Sequence, residues 1–230
     1  MRFLTLLFIA LSIIVSGCQK EISSGVDNNN GTNPPSTVSE VYLPVSKDSY
    51  WKYKVTNPGG ATSTITVTST GQQQTYDGIA YHLFANSPST AGNENSFMAV
   101  KDHKYYTRAK GVSPNTGAPF DLTFLFSNDT ATVGYQWNFD AGQGNGFAAK
   151  APGSIVEKNI SLTVLGKQYT NVIHSRFNIQ YVLPVLGTTD YGTYDYYLAK
   201  NIGIVKIEFI TPPLFGSIQS VTELIEYSIK

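Results

Sequence analysis

The sequence predicts an all-β domain, an antiparallel meander that closes into a barrel or half-barrel. A two-sheet β-sandwich is the alternative packing of the same strands. Three observations point there. Apolar and polar residues alternate with a period of two through most of the chain after Val41, and no stretch there keeps a helical period. Turn-forming dipeptides separate the alternating runs at short intervals. The composition suits strands: there are fifteen Tyr, aromatics make up 13% of the chain, and charged residues are only 14%, against the usual quarter or so.

The strands follow in order. In "SYWKYKVT", Trp51, Tyr53 and Val55 share one face, while Tyr50, Lys52 and Lys54 share the other. "TSTITVTST" sets Ile65 and Val67 against Thr64, Thr66 and Thr68, all β-formers. Asp77-Gly78 in "YDGIAY" is a type I′ dipeptide between two β-rich runs. "SFMAVKDHKYYTR" reads as a hairpin turning at Asp102-His103. "ISLTVLGKQYTNVIHSRF" is a long hairpin expected to turn at Gly166-Lys167, with Gly supplying the positive φ of a II′ turn. "TYDYYLAKNIGIVKIEFI" turns near Asn201 to Gly203. "SVTELIEYSIK" ends the chain with Ile225, Tyr227 and Ile229 expected on one face. Between these runs, "AGQGNGFAAK" carries Gly142, Gly144 and Gly146 and reads as a mobile loop. It lacks the spacing of a dinucleotide or Walker fingerprint and opens no helix. The total is roughly ten to twelve sequential strands, with no fixed internal repeat.

The first forty residues are of another kind. "FLTLLFIALSIIV", Phe3 to Val15, follows a lone Arg and carries no charge. As a helix it covers roughly 20 Å, short of a bilayer core of about 30 Å, which fits a secretory signal peptide. The tetrapeptide "VSGC", Val15 to Cys18, resembles the bacterial lipobox. That resemblance implies cleavage before Cys18, a diacylglycerol on its thiol and an acyl chain on its amine. Cys18 is the only cysteine in the chain, and two or more acyl chains anchor stably where one does not. Residues 19–40 are rich in Ser, Asn, Gly, Thr and Pro and read as a tether with a span of about 25 Å. "DNNNG" fails as a calcium loop: its Gly is misplaced, and Val38 stands where Glu is required. "CQKE" resembles the charged signal that sends some Bacteroidetes lipoproteins to the cell surface; Lys20 and Glu21 fit it, and its second acidic residue is absent. The expected organisation is a signal peptide over residues 1–17, a lipidated Cys18 and tether over 18–40, and one all-β domain over 41–230. The expected location is the outer membrane, on its periplasmic or surface face.

The opening "YWKYKVT", the hairpin "VLGKQYTNVI" and the pair "YYLAKNIGIVKIEF" are similar to a group of Bacteroidetes lipoproteins and periplasmic β-proteins. Their C-terminal half often reads aromatic-aromatic-x-Ala-Lys-x-x-Gly-x-Val-Lys. Tyr196, Tyr197, Ala199, Gly203, Val205 and Lys206 fit that strand-turn-strand pattern. The resemblance implies a half-barrel carrier or β-clam of the envelope, which shelters acyl chains or serves as a binding module. It bears on fold and compartment more than on activity.

Catalytic chemistry is sparse. The histidines His82, His103 and His174 are far apart, and none has a partner at ligand spacing, so no metal and no cofactor are expected. There is no nucleophile elbow; His174 beside Ser175 is the only entry to a fold-assembled triad, against the plainer reading of a hydrogen-bonded strand histidine. Asp190, Asp195, Glu208, Glu223 and Glu226 are candidates for paired-carboxylate glycoside chemistry, or for solvated strand faces and guarded edges. "DTA", Asp129 to Ala131, resembles the short O-glycosylation acceptor of Bacteroidetes periplasmic proteins. Sixteen acidic and sixteen basic residues balance without a basic patch, which argues against nucleic acid as a partner. The aromatics remain: Trp51, Trp137 and Tyr194 to Tyr197 suit sugar rings or amphipathic ligands as well as plain core packing.

Three functions stay open from sequence: a non-catalytic lipid-anchored barrel that shelters an apolar or amphipathic small molecule, a glycan-binding surface module, and a hydrolase with a fold-assembled site. The expected partners are the membrane, through acyl chains on Cys18, and a small-molecule or glycan ligand. Anchoring is directly checkable. Cys18→Ala is expected to abolish incorporation of radiolabelled palmitate and to leave the precursor uncleaved or the protein released from membranes. A wild-type chain that takes up no label refutes the lipobox reading.

Overall fold

The computed structural model describes residues 41–88, 95–112, 117–213 and 216–230. Residues 1–40, which hold the expected signal peptide, Cys18 and the expected tether, lie outside them. The described residues form fourteen strands and no α-helix. The first six are β1 (Tyr50–Thr56), β2 (Thr62–Tyr76), β3 (Ile79–Ser87), β4 (Asn95–Lys101), β5 (Lys104–Val112) and β6 (Pro119–Asn128). The next four are β7 (Gln136–Trp137), β8 (Asp140–Gly144), β9 (Phe147–Lys150) and β10 (Gly153–Val164). The last four are β11 (Lys167–Leu183), β12 (Gly187–Ala199), β13 (Gly203–Ile210) and β14 (Gln219–Ser228).

All neighbours pair antiparallel. The hydrogen bonds run from β1 through β6, on to β8, β9, β11, β12, β13 and β14, and back to β1. Twelve strands therefore form a closed circuit: the predicted meander is a full barrel and not a two-sheet sandwich. β10 and β7 stand outside the circuit. β10 pairs with the first half of β11, and β7 adds to β10. Closure leaves none of the twelve strands with a free edge along the ring.

The alternation read from sequence sets inside and outside. On β1, Trp51 and Tyr53 are buried and face inward. On β11 and β12, Phe177, Ile179, Tyr194, Tyr196 and Leu198 do the same. Phe124 and Phe126 of β6 join them: Phe124 stacks on Phe177, and Phe126 stacks on Tyr196 at 4.8 Å. A second, smaller cluster lies on the opposite face of β3 to β5, where Tyr76 packs edge-on to Tyr81 and Phe97 under the Arg108 guanidinium.

The two ends of the barrel differ. The near end carries the turns at Asp77–Gly78, Asp102–His103 and Lys200–Ile202. Both residues of the first two turns have positive φ, as type I′ requires. It is capped by the segment before β1, with Tyr42, Leu43 and Pro44 buried. The Tyr42 amide donates to the Tyr105 hydroxyl, and Val41 and Asn201 exchange hydrogen bonds. The far end carries the connections β1–β2, β3–β4, β5–β6, β8–β9, β11–β12 and β13–β14.

Three local expectations are corrected. The β10–β11 hairpin turns at Leu165–Gly166, one residue earlier than expected. Both have positive φ and Val164 pairs with Lys167, so the turn is type I′ rather than II′. Ile225 does not share the core face of Tyr227. A bulge puts Leu224 opposite Tyr53 and Tyr227 opposite Trp51, leaving Ile225 extra and exposed. The glycine-rich stretch is no loop: it is the β8–β9 hairpin, which completes the circuit between β6 and β11. Gly142 and Gly144 are packing residues, lying against Asp121 and Tyr181. A Cβ on Gly142 would stand 2.3 Å from the Asp121 carbonyl oxygen, and its φ is +103°.

Gly142→Ala is therefore expected to cost about 2–3 kcal/mol, from a close backbone approach and a disfavoured φ together. Gly146→Ala, in the open turn of the same hairpin, carries only the turn strain of about 1 kcal/mol. Urea denaturation midpoints check the difference; equal shifts would refute the packing role.

Candidate functional site

The inward face is the larger candidate. Six aromatic rings from four strands form one connected stack: Phe124, Phe126, Phe177, Tyr194, Tyr196 and Phe209. Tyr181 and Tyr191 continue the wall toward the far end, edge to face at 5.5 Å. Burial pushes the Tyr194 phenol well up, and the neighbouring hydroxyls of Tyr196, Tyr191 and Tyr181 push it further. Burial likewise raises Tyr53, with Tyr169 and Tyr196 adding to it. The inward hydroxyls are thus near one another and neutral across the physiological range. Tyr53, Tyr194 and Tyr196 point into the barrel and are buried, and the Tyr53 hydroxyl donates to the Ile204 carbonyl at 3.0 Å. The lining is aromatic, uncharged and punctuated by hydroxyls, which is the chemistry of sites for amphipathic small molecules.

The outer face over β10 to β14 and β1 is the reverse. One cross-strand row reads Glu157, His174, Tyr197, Lys206, Glu223, Lys54. The adjacent row holds Arg176, Asp195 and Glu208. His174 is clasped on both sides, with Nδ1 2.9 Å from Glu157 Oε2 and Nε2 2.7 Å from Asp195 Oδ1. Its ring stacks on Tyr197 at 4.3 Å between centroids. The Arg176 guanidinium donates to both oxygens of Asp195, at 2.8 and 3.0 Å. Burial alone disfavours the imidazolium, but the hydrogen bonds to Asp195 and Glu157 outweigh it and hold His174 above its ordinary value. Burial also opposes the charge on Asp195, and His174 and Arg176 outweigh it, holding that carboxyl below its usual range.

This arrangement answers the sequence candidates one by one. Ser175 and His174 face opposite sides of β11; the Ser175 hydroxyl donates to the Phe126 carbonyl inside, so the pair is no nucleophile and base. Asp195 is held by Arg176 and His174, Glu208 by Lys206 and Tyr197, and Asp190 by Gln180. Glu226 faces Lys52 at 3.6 Å, and Glu223 lies in register with Lys54 and Lys206. His82 lies beside Gln73, and His103 bonds Asp129 at 2.8 Å. Among the described residues no group of three or more His, Cys, Asp or Glu is arranged to hold a metal ion. Thr130 of "DTA" is exposed, with its hydroxyl donating to Asn128 Oδ1 at 2.9 Å.

Of the aromatics, Tyr194 and Tyr196 face in, while Tyr197 faces out beneath His174. Trp51 faces in, its indole N–H donating to the Ile202 carbonyl. Trp137 stands on β7, off the ring, packed against Gly153. Sequence reasoning missed Phe124, Phe126, Phe177 and Phe209 as partners of the tyrosines. The parity of "TYDYYLA" marks Tyr194 and Tyr196 as one face, but nothing local shows which distant strands meet them.

With this geometry the chain can be compared with others. No protein-family model matches it, and no curated protein matches it in sequence. Two solved structures align with it over most of its length. One is described as a candidate lipoprotein from Parabacteroides distasonis, with 12% identity and a TM-score of 0.46 over 82% of this chain and 99% of that one. The other is described as a candidate exported protein with a YmcC-like fold from Bacteroides fragilis, with 13% identity and a TM-score of 0.47 over 83% of this chain and 100% of that one.

The clasped histidine gives a pH prediction. A group whose folded pKa is raised contributes stability that is complete below its unfolded value, near 6.5, and fades as pH rises through the folded value. His174→Gln is expected to cost about 2 kcal/mol near pH 5.5 and distinctly less near pH 8.5, read from urea melts. A penalty that is flat across that range would show that the ring matters only as packing.

Proposed function

We propose that this chain is a lipid-anchored protein of the bacterial cell envelope, held in the outer membrane through Cys18, whose barrel binds an apolar or amphipathic small molecule without chemical turnover. The observation that carries the reading is the interior: an uncharged wall of stacked aromatic rings, with Tyr53, Tyr194 and Tyr196 buried and facing inward. Eight strands already enclose enough room for one small ligand, and twelve give a wider ring. The outer face supports the rest. Lys54, Arg176, Asp195, Lys206 and Glu223 occupy it well inside their strands. A charge at such a position on a lipid-facing wall costs about 2–4 kcal/mol near the bilayer midplane, so the barrel stands beside the membrane and not across it.

Binding is testable by calorimetry with long-chain fatty acids and, in parallel, oligosaccharides. Saturable binding of the acyl ligand is expected. Tyr194→Phe and Tyr196→Phe keep the rings and remove the hydroxyls. Each is expected to weaken a ligand whose head group uses that hydroxyl several-fold, from about 1 kcal/mol per hydrogen bond. Saturation by sugars alone would move the protein to the glycan-binding class, and no saturation by either would remove the ligand-binding reading.

A further inference from the structure

Along the pairings that close the ring, no Asp, Glu, Lys or Arg among the described residues takes an inward position. Register settles this strand by strand. Lys52 and Lys54 alternate with Trp51 and Tyr53 on β1, and Arg108 alternates with Thr107 on β5. Arg176 alternates with Phe177 on β11, Asp195 with Tyr194 and Tyr196 on β12, and Lys206 and Glu208 with Ile207 and Phe209 on β13. Each of these charges lies on the outer side. The polar groups that do face inward are mostly taken up by the fold. The Ser69 hydroxyl donates to the Val45 carbonyl at 2.8 Å, Asn86 donates to Ser96 at 2.9 Å, and Tyr53 donates to Ile204. Tyr169 of β11 is different. It is 2% exposed, and its hydroxyl has no hydrogen-bond partner among the described residues. That hydroxyl lies within electrostatic reach of those of Tyr53 and Tyr227. A buried hydroxyl without a partner is costly, so a native structure that keeps one calls for a group that completes it. The cation beside it is Lys167, at the hairpin tip of β11 beyond the pairing with β12. Lys167 is exposed, and its ammonium lies over the Tyr169 and Tyr227 rings, 5.4 and 4.4 Å from their centroids.

We propose that the molecule bound in the barrel is a neutral amphiphile, an ester or alcohol of a long acyl chain, whose head group accepts a hydrogen bond from Tyr169. The inference rests on the reading of the barrel as a ligand site and names the class of ligand. A carboxylate or phosphate taken in among these rings meets phenols and no cation, and an unpaired buried charge costs far more than a buried hydroxyl. A cationic head fares no better. It needs a free aromatic face, and the rings of the wall turn their faces to one another: Phe177 lies within 22° of Phe124 and 15° of Tyr194. Lys167, acting from the solvent side, repels it further. The groups that face the Tyr169 hydroxyl are Tyr53 of β1, Tyr227 of β14 and Lys167 of its own strand. Burial raises the phenols of Tyr53 and Tyr169, so both stay neutral donors across the physiological range. A fatty acid then fits only with its carboxyl protonated. Aliphatic carboxyls ionise near about pH 4–5, so the affinity of such an acid falls about tenfold for each pH unit above that.

The test is calorimetry on the full chain, with lauric acid and monolauroylglycerol compared at about pH 6.5 and about pH 8.5. The glyceride is expected to bind equally at both, which also controls for titration of the protein. The acid is expected to weaken about 100-fold between them. Tyr169→Phe is expected to weaken the glyceride about five- to tenfold and to leave the urea midpoint unmoved, because the hydroxyl it removes holds nothing in the fold. Lys167→Gln is expected to leave both affinities unchanged. An acid that binds as tightly at the higher pH, or that loses affinity in Lys167→Gln, has a carboxylate for its head and overturns the inference while the ligand-binding reading stands. Tighter binding of lauroylcholine, the cationic ester, does the same. Unchanged glyceride affinity in Tyr169→Phe, or a lowered urea midpoint, overturns the role of Tyr169. No binding of either acyl probe removes the ligand-binding reading itself, and this inference with it.

Discussion

The structure depends on one strand having three partners. β11 is seventeen residues long and gives one edge to β12 along most of its length. Its other edge is divided. The first half takes β10, and Gln180 to Val182 take β9. Only this division lets the hydrogen-bond circuit close. The strands on either side of the junction are short where they must be: β9 has four residues and β8 five. The glycines of β8 let that hairpin lie close against β6, where a Cβ on Gly142 would collide with the Asp121 carbonyl. Closure is thus bought locally, by residues that carry no chemistry of their own.

Once the circuit is closed, strand parity decides function. A period of two sends alternate residues to two solvents, and a single residue of slip exchanges them. In "TYDYYLA", Tyr194 and Tyr196 enter the aromatic stack, while Asp195 and Tyr197 join the ion-pair rows outside. The bulge in β14 shows the same rule under correction. The chain skips Ile225 so that both Leu224 and Tyr227 face β1's inward residues. The outer rows link four neighbouring strands through Glu157, His174, Arg176, Asp195, Tyr197 and Glu208. His174 and Asp195 are both buried, and their charges are held by each other together with Glu157 and Arg176.

Much of this was legible in the sequence, for physical reasons. Alternation over β1, β12 and β13 is strong because one face meets water and the other meets rings, and short turns fix the order of neighbours. The Asp77–Gly78 and Asp102–His103 turns were readable because left-handed backbone has few tolerant residues. Less legible were features set by distant strands. Glycine usually breaks a strand, so "AGQGNGFAAK" resembled a loop; its role appears only when β6 and β11 stand on either side of it. The His174 clasp joins three strands across a bulged register, which no spacing along the chain encodes. The interior stack combines four strands, and only two of its six rings were singled out beforehand.

The distribution of charge is a further level of order, one that neither alternation nor packing requires. Parity explains why Lys, Glu and Arg sit on the outer face, but it is indifferent to position along the axis. Turns are the usual home of Asp and Lys, since both tolerate solvent and Asp supports tight turns. The near end follows that habit. At the far end, the connections that are described throughout, "TNPGGAT", "GNGF" and "LPVLG", carry no charge, and the last of them exposes Val185 and Leu186. Hairpin tips at both ends expose aliphatic side chains, Val185 and Leu186 at one and Leu165 at the other. The aromatic wall runs toward the far end through Tyr181 and Tyr191. The opposite end is closed by Tyr42, Leu43 and Pro44, which are buried over it.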